Sequence, residues 1–504
     1  MMVPSFEQFK SVPPGASAAF LKKLDFYADP FWLYERFRGG TSVLLESARA
    51  GQDSGRYSLM ARRPFMTFHC KRGAVTVVSG RKQKKRGAPL EVLKRLMHAW
   101  RAPSAPGFPP FTGGAVGFFA YEAKNLVEPG LPQTAPDDLG LPDIYLLFFD
   151  RGLLVDHKEK ALWMFVTVKR RGPARRVYAD AAMKLKRLER ELRRRFVRRP
   201  AVVGDAPRSP DVKRVVCLST AARFMHSVET AKRHIRAGDI FQANISQRFD
   251  LPMGPRQALE VYRRLRKINP SPFFGLLETP GFQIISGSPE RLVKLENGVV
   301  ETRPIAGTRK RGRTSAQDRT VALELLLNEK ERAEHIMLVD LERNDLGRVA
   351  EFGSVSVDQF MILEDYSHVK HIVSNVRGVL RRGLDALDVI RAFFPGGTIT
   401  GAPKVRCMEI IDTLEPVARG PYTGSLGYLS FTGNMDLNII IRSLVLRAGR
   451  AHLQVGAGIV ADSQARKEYE ETLYKAEAVL AALFGEAATR AFFSKLRTAA
   501  DAVG

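Results

Sequence analysis

The stretch QIISGSPERLVKLENGVVETRPIAG, residues 283–307, reads as strands broken by turns, with apolar and β-branched residues set between Gly, Pro and Asn. A second stretch, LGYLSFTGNMDLNIIIRSLVLRAG at 426–449, has the same antiparallel character, and IFQANISQRFDL at 240–251 is a further strand. Helical patterns fall between or after them, at FMHSVETAKRHIRAG (224–238, ended by Gly238), 318–341, 384–394 and 466–485. Upstream, TSVLLESA, GRYSLMA, FMTFHC, AVTVVSG, FTGGAVGFFAYE and LPDIYLLFFDRGLLVDH read as strands, with EVLKRLMHAW as one amphipathic helix. Strands mixed with helices, without regular βαβ alternation, define an α+β fold. The chain divides into an N-terminal region, 1–165; a basic helix and linker, 166–215; a C-terminal region, 216–486; and a tail, 487–504.

At 504 residues the chain exceeds one ordinary core, and 45% hydrophobic residues is normal for a globular protein. No run of 18 apolar residues occurs, and the start MMVPSFEQFKSVPPGASAAF lacks a signal pattern, so the expectation is a cytoplasmic protein without membrane contact. Cys70, Cys217 and Cys407 have no metal-like spacing and are too few to staple the fold. A net charge of +26 raises the question of a nucleic-acid partner. Much of that charge lies in one run, 168–200, which has few aromatics for base stacking and no nucleic-acid motif. A solvated basic helix is the better reading.

Two glutamate pairs stand out, Glu331 with Glu334 and Glu468 with Glu471. Residues at i and i+3 share a helix face, so each pair presents two carboxylates in one direction. Converging faces would suit Mg²⁺, which takes one or two protein carboxylates and fills its shell with waters and anionic substrate. The P-loop, GxSxG and HExxH motifs are absent, and GAGIVAD at 456–462 lacks the third glycine of a dinucleotide loop. Ala306, Gly307 and Thr308 end a strand where small residues admit a ligand to backbone N–H groups. Gly396, Gly397, Thr398 and Gly401 form a second such turn, able to cradle a carboxylate. Arg442 is a cation within the apolar run NIIIRSL and needs an anion, from the protein or from a substrate. His371, on an apolar stretch, is a core histidine by default and an acid or base by opportunity.

Taken together, LLES, FTGGAVG, GDIFQANISQRF, NPSPF, GSPE, RPIAGTR, KERAEHIMLVDLERNDLGR, YSHVKHIVS, GAPK, PYTGSLGY and EYEETLYKAE resemble the chorismate-utilising enzymes. Within that family they resemble the large subunits of anthranilate synthase and aminodeoxychorismate synthase, from about residue 25 to 485. The resemblance implies antiparallel sheets packed face to face with helices outside. It implies that Glu334 and Glu471 hold Mg²⁺, that Glu331 and Glu468 hold its waters, and that the metal binds the ring carboxylate of chorismate. Tyr422, Arg442 and the backbone of Gly456, Ala457 and Gly458 look like the clamp on the enolpyruvyl carboxylate, with Lys475 nearby. Glu290, Ala306, Gly307, Thr308, His371 and Thr398 match positions around the reacting ring, with His371 and Glu290 as candidates for proton handling.

Family members that add water place a lysine where Gln242 stands, and glutamine cannot act as that base. Ammonia is therefore the implied nucleophile. The chain has no GxCxG motif, so a separate glutamine amidotransferase subunit would supply it. The two sisters differ in ways that cut both ways. Ala306 occupies the position where many aminodeoxychorismate synthases carry a nucleophilic lysine, and LLES, with Glu46 and Ser47, looks like the tryptophan-feedback motif, with Asn269 and Pro270 grouped beside it. Against this, FQANISQRF, NPSPFFG, PGGTITGAPK and PYTGS lean to the other sister, and Phe273 and Phe274 replace the usual Tyr-Met pair at the tryptophan site. The reading is anthranilate synthase, with aminodeoxychorismate synthase as the alternative. An inactive family member binding nucleic acid is a distant third, disfavoured because the glutamate pairs, Arg442, His371 and Lys475 are all present.

Overall fold

The computed structural model describes residues 2–47, 55–104, 107–197, 211–254, 257–312, 314–365 and 369–501. Residues 366–368 of the YSHVKHIVS motif and 198–210 of the linker lie outside the described residues.

Two large sheets form the body, and among the described residues the strands within each pair antiparallel. In the first sheet, Ser42–Glu46 from the N-terminal region pairs with Phe273–Glu278 from the C-terminal region. In the second, Gly114–Phe119 pairs with Ser425–Ser430. The regions 1–165 and 216–486 are therefore stretches of chain that share both sheets. Register is set locally in places: Arg291–Glu296 and Val299–Thr302 are joined by Asn297-Gly298, both at positive φ, as a two-residue hairpin turn of matching twist requires.

The two sheets face each other across a layer that includes Leu21, Val43 and Ile284 from one and Phe118, Leu147 and Leu426 from the other, all buried. Helices cover the outer faces. Ala221–Arg236, Ala258–Ile268 and Ala465–Phe484 pack on the first sheet; Pro89–His98, Glu329–Gly347 and Ala386–Phe393 pack on the second. The α+β arrangement of face-to-face sheets with helices outside is the one observed.

The helix expected over 318–341 is two helices, Ser315–Leu327 and Glu329–Gly347. Asn328 adopts extended backbone between them, and its side-chain oxygen accepts a hydrogen bond from the Glu331 amide at 2.9 Å, capping the second helix. Within the tail, Glu486–Asp501 is helical and buries Phe493 and Ala500 against the body. The basic run forms the helix Ala174–Val197, which buries Val177, Ala181, Leu185, Leu188 and Leu192 and turns Arg187, Arg190 and Arg194 to solvent. Its i, i+4, i+7 apolar spacing is that of a surface helix. No helix among the described residues is long and apolar enough to cross a membrane.

Candidate active site

A cavity of about 1240 Å³ opens where the two sheets, the helix Glu329–Gly347 and the helix Ala465–Phe484 meet. Gln242, Glu290, Ala306, Gly307, His371, Thr398, Tyr422, Arg442, Gly456, Gly458 and Lys475 line it, together with all four paired glutamates. Residues separated by more than 200 positions in sequence thus share one chamber.

Glycine makes the wall that faces Tyr422 and Gln242. A β-carbon on Gly456 would meet the Asn244 side-chain oxygen at 2.5 Å and the Tyr422 hydroxyl at 2.9 Å; on Gly458 it would meet the Gln242 amide nitrogen at 2.7 Å. Ala457, between them on the strand Arg450–Ile459, points the other way into the core, so only its backbone is available to a ligand. Gln242 opens the strand Gln242–Pro252, and its carbonyl accepts a hydrogen bond from the buried Cys407 thiol at 3.0 Å.

Arg442 does not sit in a strand. The chain leaves the second sheet after Met435–Asn438 and joins the first at Ser443–Arg447, and Arg442 lies in this step with φ of 51°. Left-handed backbone at a non-glycine residue costs about 1–2 kcal/mol, and such strain collects at functional sites. The charges of its guanidinium and of the Lys475 ammonium both reach Glu290.

Glu290 is buried, and burial pushes its carboxyl up to about 7; Thr398 beside it, then Lys475 and Arg442, act in the opposite sense. A carboxyl with this affinity holds a proton near neutrality and can donate it. His371, also buried, places Nδ1 3.1 Å from the Gly307 carbonyl oxygen. A carbonyl only accepts, so the neutral imidazole carries its proton on Nδ1 and presents Nε2 as the basic atom. That contact exists because the pairing of Ile305–Lys310 with Val369–Val379 slips between Ala306 and Thr308, leaving Gly307 at φ of 63°. Thr308 pairs in the ladder with His371.

The acidic wall carries its own counter-ions. Arg309 donates from Nη1 to Glu331 at 2.8 Å, and Lys475 bridges the Glu471 carboxylate at 2.7 Å and the Gly456 carbonyl at 2.9 Å. Among the described residues no group of three or more His, Cys, Asp or Glu side chains is arranged to cage a metal ion. Hard carboxylate oxygens presented from two helices, without a closed cage, fit an ion that keeps waters and takes substrate oxygens, as Mg²⁺ does. Glu331, Glu334, Glu468 and Glu471 would hold it.

Arg309, Asn244 and Gln454 also line the cavity and were not singled out in the sequence. Strand alternation was a usable signal for the last two: Asn244 lies two residues from Gln242, and Gln454 two from Gly456.

Glu46 and Ser47 line a second, smaller cavity of about 440 Å³ with Arg56, Tyr57, Phe273 and Arg291. Asn269 and Pro270 do not join them; they face the large cavity. The helix Ala258–Ile268 ends there and the chain crosses between the two chambers, so 269–270 face one and 272–274 the other. Arg266 clamps Glu46 at 2.5 Å, and burial pushes the Glu46 carboxyl up to about 7.

Residues 41–481 match the family described as chorismate binding enzyme. The chain is 43% identical over 467 residues to anthranilate synthase component 1 of Acetivibrio thermocellus, covering 91% of this chain and 94% of that one. It is 45% identical over 472 residues to aminodeoxychorismate synthase component 1 of Bacillus subtilis, covering 92% and 96%. Against anthranilate synthase component 1 of the same bacterium it is 38% identical over 461 residues, covering 90% and 89%. The crystal structure of anthranilate synthase component I from Streptococcus pneumoniae TIGR4 superposes with a TM-score of 0.74 at 35% identity, covering 90% of this chain and 97% of that one.

Proposed function

Because this chain belongs to the chorismate binding enzymes, we propose that it aminates chorismate with ammonia and expels pyruvate to give anthranilate, as component I of a two-subunit synthase. The observation that carries the amination is Gln242. Its amide faces the cavity against Gly458, and the family resemblance implies that water-adding members carry a lysine base there. An amide cannot deprotonate water, whereas ammonia needs no base to attack.

The chamber carries separate donor and acidic groups for the two carboxylates of chorismate, joined where Lys475 bonds Glu471. Arg442, Tyr422, Lys475 and the amides of Gly456–Gly458 supply donors for the enolpyruvyl carboxylate. Bound Mg²⁺ would neutralise the ring carboxylate among Glu331, Glu334, Glu468 and Glu471 and ease charge build-up as the hydroxyl leaves. Glu290 donates its proton to the departing 4-hydroxyl while ammonia bonds to C2. His371 Nε2 then takes the C2 proton; those electrons form the last ring double bond as the C3–O bond breaks, and enolpyruvate leaves as pyruvate. Ala306 gives no nucleophile for a covalent route.

Ammonia is mostly ammonium at neutral pH, so a separate glutamine amidotransferase would deliver it in the cytoplasm. A second product, 4-amino-4-deoxychorismate, is favoured by one observation: the two Bacillus subtilis relatives are 45% identical for the aminodeoxychorismate enzyme and 38% for the anthranilate enzyme. Incubation of the protein with chorismate, Mg²⁺ and an ammonium salt at high pH separates the readings. Anthranilate with equimolar pyruvate supports the first; aminodeoxychorismate without pyruvate replaces it with the second. Unconsumed chorismate overturns both.

A further inference from the structure

Arg419 is 2% exposed and does not line the cavity, yet its guanidinium reaches three segments of chain that do, at Asn244, Thr398–Ile399 and Tyr422–Thr423. Nε donates to Glu415 Oε2 at 2.9 Å and Nη2 to Glu415 Oε1 at 2.7 Å. Nη2 also donates to the Asn244 carbonyl at 2.6 Å. Nη1 donates to the Ile399 carbonyl at 2.9 Å and to the Thr423 hydroxyl at 3.2 Å. Its flat face lies 4.8 Å from the Tyr121 ring centre and 5.7 Å from that of Tyr422. Glu415 Oε1 in turn accepts from the Ser246 amide at 2.8 Å and hydroxyl at 2.7 Å, and Gln454 donates to that hydroxyl at 2.8 Å.

The pattern of these contacts matters more than their number. Ile399 follows Thr398, and Thr423 follows Tyr422. Asn244 and Gln454 line the cavity themselves, on the strands that also carry Gln242 and Gly456. An ion pair serving packing alone has no reason to end on Asn244, on Ile399, on the neighbour of Tyr422 and, through Ser246, on Gln454. A planar fork with five N–H groups can hold that many acceptors in fixed directions; an ammonium cannot.

We propose that Arg419, held by Glu415, is a positioning residue for the chorismate site, fixing Thr398, Tyr422 and Gln242 relative to one another without touching substrate. This rests on reading the large cavity as that site. It assigns a role to a pair outside the set of residues that meet the ligand. An error of about 1 Å in the relative placement of binding groups costs on the order of 10²-fold in rate, so loosening the pair should be visible kinetically before it is visible as unfolding.

Removing one partner alone would strand a buried charge. The test therefore uses Arg419→Met with Glu415→Leu, which removes both charges, and separately Arg419→Lys, which keeps the charge and loses the fork. Both are assayed with chorismate, Mg²⁺ and ammonium well below their unfolding temperatures, beside the wild type. The expected result is a fall in kcat/KM for chorismate on the order of 10²-fold in the double variant, with a smaller fall in Arg419→Lys. Chorismate should also lose its stabilising shift in Tm in the double variant, while the shift produced by MgCl₂ persists. Lowered Tm with wild-type kcat/KM and an intact chorismate shift would overturn the proposal and leave a packing role. If the double variant does not fold, the kinetics of Arg419→Lys decide alone, and wild-type values there overturn it. A wild type that neither binds nor consumes chorismate would instead overturn the reading of the cavity.

Discussion

A β-carbon added to Gly307 would lie 2.9 Å from Glu331 Oε2, so the glycine at the strand bulge and the glutamate on the helix are fitted to each other. The same glycine offers its carbonyl to His371. One residue therefore spaces the acidic wall and sets the histidine tautomer.

Gly307→Ala should disturb both. A side chain at φ of 63° costs about 1–2 kcal/mol, and the new methyl must push Glu331 away. The expected outcome is a Tm lowered by a few degrees, a higher Mg²⁺ requirement and slower turnover. A variant with wild-type Mg²⁺ dependence would show that Glu331 plays no part in holding the metal.

Glu334→Gln and Glu471→Gln should each abolish Mg²⁺-dependent turnover and leave the fold intact, because an amide cannot supply the charge that Mg²⁺ needs. Circular dichroism, together with MgCl₂-induced thermal shifts, checks this. Wild-type rates in either variant would sink the metal assignment.

Glu290 carries a pH signature. Its folded pKa of about 7 lies above the free value of 4.5, so the fold favours the neutral acid. The stability linked to it is complete below about 4.5 and is lost as pH rises to about 7, a difference of roughly 3 kcal/mol at most. Glu290→Gln mimics the neutral acid, so urea midpoints of wild type and variant should diverge between pH 5 and 8, with the variant relatively more stable at the high end. Its turnover should fall on the order of 10²-fold or more. Parallel urea profiles would mean that Glu290 is ionised throughout.

His371→Asn should slow aromatisation more than amination, since Nε2 is assigned to the C2 proton. Mass spectrometry should then find an aminated intermediate that still carries the enolpyruvyl group. A proportional loss of both steps would assign the C2 proton to another base.

The smaller cavity, with Ser47 and Glu46 on its wall, makes tryptophan inhibition testable. Arg291 stacks 5.0 Å from the Phe273 ring there, and Arg291 follows Glu290 directly in sequence. Tryptophan should inhibit and Ser47→Phe should relieve it; equal rates with and without millimolar tryptophan would remove this chamber from regulation.

The sequence by itself determined the strand and helix character of most segments, because apolar periodicity and turn residues act within a few positions of each other. It also pointed to the paired glutamates, since i and i+3 on one helix share a face whatever the helix packs against. It did not separate 318–341 into two helices, because the break depends on Asn328 preferring to cap the second helix rather than continue the first. The tertiary structure alone decided that Arg442 lies in a strained step between sheets, that Ala457 turns into the core, and that Asn269 and Pro270 belong to the large cavity. Arg419 was hidden for the same reason. Its carbonyl acceptors at Asn244 and Ile399 are backbone atoms that every sequence possesses, and only the closed tertiary fold brings them to one guanidinium. Local chemistry travels with the residue, whereas convergence is a property of the closed fold.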